Sequence, residues 1–161
     1  MELWELIARE KIRDSLALYN WSGDAFRLSE LASAFCPDGT LEIRGRDALK
    51  GRNAIIGFLA GEDDSSDDES RRAARIHTPA DGQTKRIVRH NLTNIRFLEL
   101  GSEQALVACY FTVFTDIGLD HYGRYRDTFV PQGDEWLIAH RFVSTDWRSP
   151  SSTMAPPATT H

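Results

Sequence analysis

Arg89-His90-Asn91-Leu92-Thr93-Asn94-Ile95-Arg96-Phe97 reads as a β-strand in which polar side chains take places that a plain core strand gives to valine or isoleucine. Alternate side chains of a strand share a face. One face therefore carries Val88, His90, Leu92, Asn94 and Arg96, and the other Ile87, Arg89, Asn91, Thr93, Ile95 and Phe97. Neither is wholly apolar around His90. Such a strand suits one wall of a wet or half-wet cavity. An imidazole pointing into that cavity would make the chain a candidate enzyme.

Outward from this strand the chain divides in two. After residue 84 it alternates as strands over 85–100, 104–116, 121–130 and 135–146, broken at Gly101-Ser102, Ile117-Gly118 and Pro131-Gln132-Gly133-Asp134. Before it, helical spacing dominates. Residues 3–20 place Ala8, Ile12, Ser15, Leu16 and Tyr19 on one stripe. Gly23 suits a left-handed helix end, and Asp24 an N-cap for a second helix over 25–35. Cys36-Pro37-Asp38-Gly39 is turn chemistry, followed by a short strand over 40–44, a turn with a short extended piece over 45–51, and a third helix over 52–59. Helices first and a strand meander afterwards is an α+β pattern. The expected fold is three N-terminal helices packed in a cone formed by a curved, mostly antiparallel sheet, with an interior suited to a small molecule.

The chain has 161 residues and one domain's worth of core, expected over 1–148 with a flexible tail over 149–161. Its net charge of −5 is concentrated: Glu62-Asp63-Asp64-Ser65-Ser66-Asp67-Asp68-Glu69 holds six of the 24 acids, and the rest nearly balance the 19 basic residues. That excludes a strong field for nucleic acid or an anionic membrane. The segment 61–84 is expected as a solvated loop, and its acidic part, 61–76, as a candidate lid. Cys36 and Cys109 sit in apolar surroundings and read as two buried thiols. No secretory signal and no apolar run of roughly 18 residues is present, so the default is a cytoplasmic protein with no membrane partner.

The order of segments resembles a SnoaL-like domain of the nuclear-transport-factor-two-like, or cystatin-like, superfamily. The likeness is carried by Tyr19 with Asp24 five residues on, Phe35-Cys36-Pro37-Asp38-Gly39, Gly51-Arg52-Asn53-Ala54-Ile55, Arg89-His90-Asn91-Leu92-Thr93-Asn94, Gly123-Arg124-Tyr125-Arg126-Asp127 and Trp136-Leu137-Ile138-Ala139-His140-Arg141. It covers residues 5 to 147. The polar pattern is closest to scytalone dehydratase and bile-acid dehydratase, which are similar in a Tyr and an Asp flanking the end of the first helix and a His on the first long strand. Tyr19, Asp24 and His90 match these positions, and Arg141 matches a polar pocket position of some members. The second histidine of the scytalone dehydratase pattern has no clear counterpart.

The chemistry follows from the side chains. Histidine titrates near roughly 6.5 and can exchange a proton at neutral pH. A carboxylate on its other ring nitrogen, here Asp24, would fix its tautomer. The Tyr19 phenol could donate to a developing enolate oxygen. Together they suit proton abstraction beside a carbonyl and loss of a β-leaving group, with no metal and no organic cofactor. The expected activity is a cofactor-free lyase of the dehydratase type, or an isomerase or cyclase, acting on a small, mostly apolar ring compound such as a steroid, polyketide or aromatic. Arg141, Tyr125, Asp127 and Tyr110 are the expected substrate contacts, although Asp127 reads more naturally as the ion-pair partner of Arg124 or Arg141. His140 and Arg141 should point to opposite faces, and His77 and His121, in or beside turns, to solvent.

Structural readings compete at each position: Asp24 as a helix cap, Tyr19 as a core tyrosine, His90 as outward-facing. Two other functional classes stand beside the enzyme. One is a non-catalytic binder of small apolar ligands. The other is an assembly subunit like those of ring-hydroxylating dioxygenases. A homodimer or homotrimer is expected because the strand 104–116 is apolar on both faces, with Leu106, Ala108, Tyr110 and Phe114 on one and Val107, Phe111 and Val113 on the other.

Overall fold

A computed structural model describes residues 1–61 and 87–152. The first helix, α1 (Leu3–Asp24), starts with a reciprocal cap in which the Glu2 backbone N–H donates to Glu5 Oε2 at 2.6 Å. Its expected stripe, Ala8, Ile12, Ser15, Leu16 and Tyr19, is buried, and Asn20 and Ser22 are buried with it. The helix runs on through Gly23 and Asp24, contrary to the expected break. The left-handed turn falls instead at Phe26, φ 57°. Asp24 therefore caps nothing. The second helix, α2 (Leu28–Ser33), follows Arg27 without a side-chain cap. It is shorter than the apolar spacing implied, because Phe35 already belongs to β1 (Phe35–Ile43). Cys36-Pro37-Asp38-Gly39 lies within β1 as an irregularity, between the Phe35 and Thr40 pairings to the last strand. Then come β2 (Leu49–Lys50) and α3 (Arg52–Ala60).

Four long strands complete the chain: β3 (Val88–Leu100), β4 (Ala105–Thr115), β5 (Gly118–Gln132) and β6 (Glu135–Arg148). The curved sheet runs β2-β1-β6-β5-β4-β3, antiparallel throughout except where β1 pairs with β6. Its hydrogen-bonded registers stack inward-facing side chains in rows that α1 crosses. At one end the row is His90, Val113, His121 and Arg148; the next is Leu92, Phe111, Gly123 and Thr145. Then come Cys109, Tyr125 and Val143, followed by Val107, Asp127, Arg141 and Leu41. The far end is all apolar: Ala105, Phe129, Ile138 and Phe35. Ser15 pins α1 at that far end by donating to the Trp136 carbonyl at 2.6 Å.

The strand that opens the sequence argument departs from simple alternation. Val88, His90 and Leu92 share the inner side as expected. At Asn94, φ 53°, the register with β4 slips, and Ile95 and Phe97 turn inward in place of Asn94 and Arg96. Asparagine tolerates the left-handed region, so this position accepts a bulge. The two cysteines are buried and unpaired with each other, and burial pushes the Cys109 thiol up to about 12. The segment expected to be loose from residue 149 begins with a fixed turn: Ser149 N–H donates to the Asp120 carbonyl at 2.7 Å, and Ser152 is buried. The rest of that tail, the segment 62–84 and His77 lie outside the described residues. Among the described residues no helix is long and apolar enough to cross a membrane.

Candidate active site

Asp24 occupies the last turn of α1, where the helix dipole disfavours a negative charge by about 0.3–1 kcal/mol. What offsets this is His90. The His90 backbone N–H donates to Asp24 Oδ2 at 2.9 Å, and its ring Nδ1 lies 2.5 Å from Oδ1. An ionised carboxylate only accepts, so Nδ1 is the ring nitrogen that donates, and in the neutral form of the ring Nε2 keeps its lone pair. Both side chains keep a little solvent access.

A second imidazole lies in the same row, two strands away. One spacing is about 4.8 Å, so the two backbones are about 10 Å apart, with the small Val113 between. His121 is buried, not solvated as expected, and packs edge-on to Phe111 at 5.9 Å. Its Nδ1 lies 2.7 Å from Asp120 Oδ1. Asp120 is the extra residue of a bulge between the Val113–His121 and Phe114–Leu119 pairings, which turns two successive side chains inward. Its carboxylate also accepts from Ser152 Oγ at 2.6 Å and Thr115 Oγ1 at 3.1 Å. Burial works to raise the Asp120 carboxyl, but bonds from Ser152, His121 and Thr115 outweigh it and the net shift is downward. Burial lowers His121 more than its bond to Asp120 raises it, so the ring is neutral near pH 7.

Deeper in the interior, Arg141 is fully buried and donates from Nε and Nη2 to both oxygens of Asp127, each at 2.8 Å. Its guanidinium stacks between Tyr19 and Tyr125, 4.2 and 4.1 Å from their ring centroids. Burial favours the neutral base, yet Asp127 dominates, and the guanidinium is held even more firmly protonated than usual. Burial also raises both phenols, that of Tyr125 strongly, so both remain donors at neutral pH. Tyr125 stacks on Phe111 at 4.6 Å, which links this cluster to His121.

The structure thus brings Asp24 to His90, and Tyr19, Tyr125, Asp127 and Arg141 to one another. It does not join the two groups directly: the ring contacts of Tyr19 are with Phe35, Tyr125 and Arg141. Tyr110, expected among the substrate contacts, is misplaced. β4 turns Val107, Cys109, Phe111 and Val113 inward, so Tyr110 faces out and is 50% exposed. His140 also faces away from the interior, against Glu42 at 2.9 Å, as its spacing from Arg141 required. Asp120, His121 and Asn20 escaped the sequence reading. The Asp-His pair at the start of β5 was the available signal for the first two. Among the described residues no cluster of three or more histidine, cysteine or carboxylate side chains is arranged to hold a metal ion.

This architecture is that of a helix-filled α+β cone, and the sequence agrees: a SnoaL-like domain profile matches residues 4–142, so the chain belongs to the SnoaL-like family. Members of this family include polyketide cyclases and dehydratases. Among solved structures, the chain is similar to a Novosphingobium aromaticivorans protein provisionally assigned as a scytalone dehydratase, with 18% identity, TM-score 0.71, and 97% of this chain and 95% of that one covered. A nuclear-transport-factor-two-like protein with a cystatin-like fold from the same organism gives 22% identity and TM-score 0.67, with 91% and 87% covered. LinA gives 18% identity and TM-score 0.66, with 94% and 96% covered. At such identities the likeness establishes the fold. No curated protein matches the sequence.

Proposed function

We propose that the chain is a cofactor-free lyase of the dehydratase type that acts on a small oxygenated ring compound, with isomerisation as the neighbouring chemistry. The observation that carries this reading is the 2.5 Å contact of His90 Nδ1 with Asp24. With Nδ1 held, Nε2 takes a proton from the carbon beside a substrate carbonyl, and the C–H electron pair passes into an enolate. The enolate collapses to a double bond as the β C–O bond breaks. The departing hydroxide takes up the proton from His90 and leaves as water. The neutral His121, its Nδ1–H on Asp120, has Nε2 available to accept from the substrate hydroxyl and so to orient the leaving group. Donors for the enolate oxygen come from the deeper cluster, where Tyr19 stays protonated and Arg141 Nη1 has no hydrogen-bond partner among the described residues.

Self-association belongs to the same proposal. Tyr110, Phe114, Leu119, Tyr122 and Trp147 lie exposed on β4, β5 and the end of β6, and Tyr122 stacks on Trp147 at 5.4 Å. A second copy is the occupant we assign to this surface, giving a homodimer. The testing experiment incubates the protein with hydroxylated ring ketones and follows loss of water by mass spectrometry. Turnover by the wild type and its loss in a folded His90→Ala variant is the expected result. Undiminished turnover by the variant removes the assignment.

A further inference from the structure

Between the His90–Asp24 pair and the deep cluster, α1 presents Asn20. It lies one residue beyond Tyr19 and four before Asp24, a rise of about 6 Å, on the face that also buries Leu16. It is only 6% exposed, and among the described residues neither its Oδ1 nor its Nδ2 has a hydrogen-bond partner. The backbone N–H groups around Asn20 are engaged in the helix ladder, and its side-chain amide makes no bond back to the helix carbonyls. An orphaned carboxamide at this depth is costly to the free protein, and an apolar residue of the same size would relieve it.

We infer that Asn20 is the residue that reads the substrate's polar edge. The inference rests on the proposed use of the interior as a ring-compound site. A carboxamide presents one donor and one acceptor side by side. Its complement is a pair of neighbouring oxygens of opposite character: a carbonyl accepting from Nδ2 and a hydroxyl donating to Oδ1. Asn20 thereby selects hydroxy-ketones over plain ketones and hydrocarbons of the same shape. Its place between His90 and Arg141 sets the ring with its oxygenated edge along α1. Sites built around an unpaired polar group reject analogues that leave it unpaired.

The test is equilibrium binding to the full-length protein of three probes: 2-hydroxy-1-tetralone, 1-tetralone and tetralin. The first has the adjacent oxygens but no β-leaving group, so binding is read apart from elimination, and the same probes bound to His90→Gln read it apart from enolisation. The wild type should prefer 2-hydroxy-1-tetralone over 1-tetralone by about 10-fold or more, and N20L should lose that preference. N20L should also raise Tm by about 2–8 °C, whereas a merely structural amide would give a fall. N20A, which adds no branched side chain to the interior, should lose the preference as well. An N20L or N20A protein that keeps the preference, a fall in Tm of N20L, or a wild type that binds both ketones equally overturns the assignment. The lyase reading fails separately, when His90→Ala leaves turnover intact.

Discussion

Two acid–base pairs lie inside the same sheet and have opposite physical character. At one end, Asp24 and His90 meet with some solvent access, and among the described residues only Nδ1 of the His90 ring is hydrogen-bonded. Deeper in, Asp127 and Arg141 meet with none, clamped between two phenols. The first pair can pass a proton on. The second cannot, because a guanidinium does not give up its proton in a protein and Asp127, bonded to it through both oxygens, holds it charged still more firmly. We read the first as the reactive pair and the second as a fixed scaffold, and the difference lies in the bases: an imidazole is a group that can exchange a proton near neutral pH, whereas a guanidinium is not.

The strongest way to break this contrast is to truncate one member of the deep pair. Asp127→Ala should cost about 3–5 kcal/mol of stability in urea unfolding, since it strands a buried guanidinium. Replacing both members together, Asp127→Leu with Arg141→Met, should recover much of that loss. If Asp127→Ala is benign, the pair is not the scaffold. The matching change at the other end, His90→Gln, should cost only about 1 kcal/mol of stability while lowering turnover by about 10²–10⁴-fold.

Acidification sharpens the contrast further. The folded-state pKa of His121 lies below its ordinary value of 6.5, so the unfolded chain takes up its proton first and stability falls as pH drops below that value. Asp120 has a folded pKa below 3.8, so its contribution is intact above that value and is lost on further acidification. Chemical denaturation across pH should show both phases, and His121→Gln should remove the first. The deep pair should contribute nothing to the first phase. The smallest effect is at the outer face. Tyr110→Glu with Phe114→Glu should shift light-scattering mass toward the monomer, with change of less than about 1 kcal/mol in the stability of the protomer.

Much of this was legible in the residues. The α1 stripe and the four long strands follow from periodicity; for Asp127 the residues offered Arg124 or Arg141 as ion-pair partner, and the structure selects Arg141 while Arg124 pairs with Asp146. Asp24 meeting His90 came from the likeness to the dehydratases, and the geometry joins them. What failed failed at irregularities. Period-two reading has no term for a bulge, so it carried Asn94 and Arg96 inward where the slip at Asn94 brings Ile95 and Phe97. The bulge at Asp120 likewise turned His121 from an expected surface residue into a buried one. Tyr110 shows a related limit: on a strand apolar on both sides, composition does not say which side is in. Asn20 left no mark, because an amide on a helix stripe looks like any surface asparagine until its neighbours are known.

The most direct measurement is solvent-deuterium exchange at the carbon beside the carbonyl of a hydroxylated ring ketone, followed by NMR for the wild type and for His90→Gln. Protein-dependent incorporation of deuterium by the wild type, lost in the folded variant, is the predicted result. Incorporation that survives the loss of His90 would contradict the role given to this histidine.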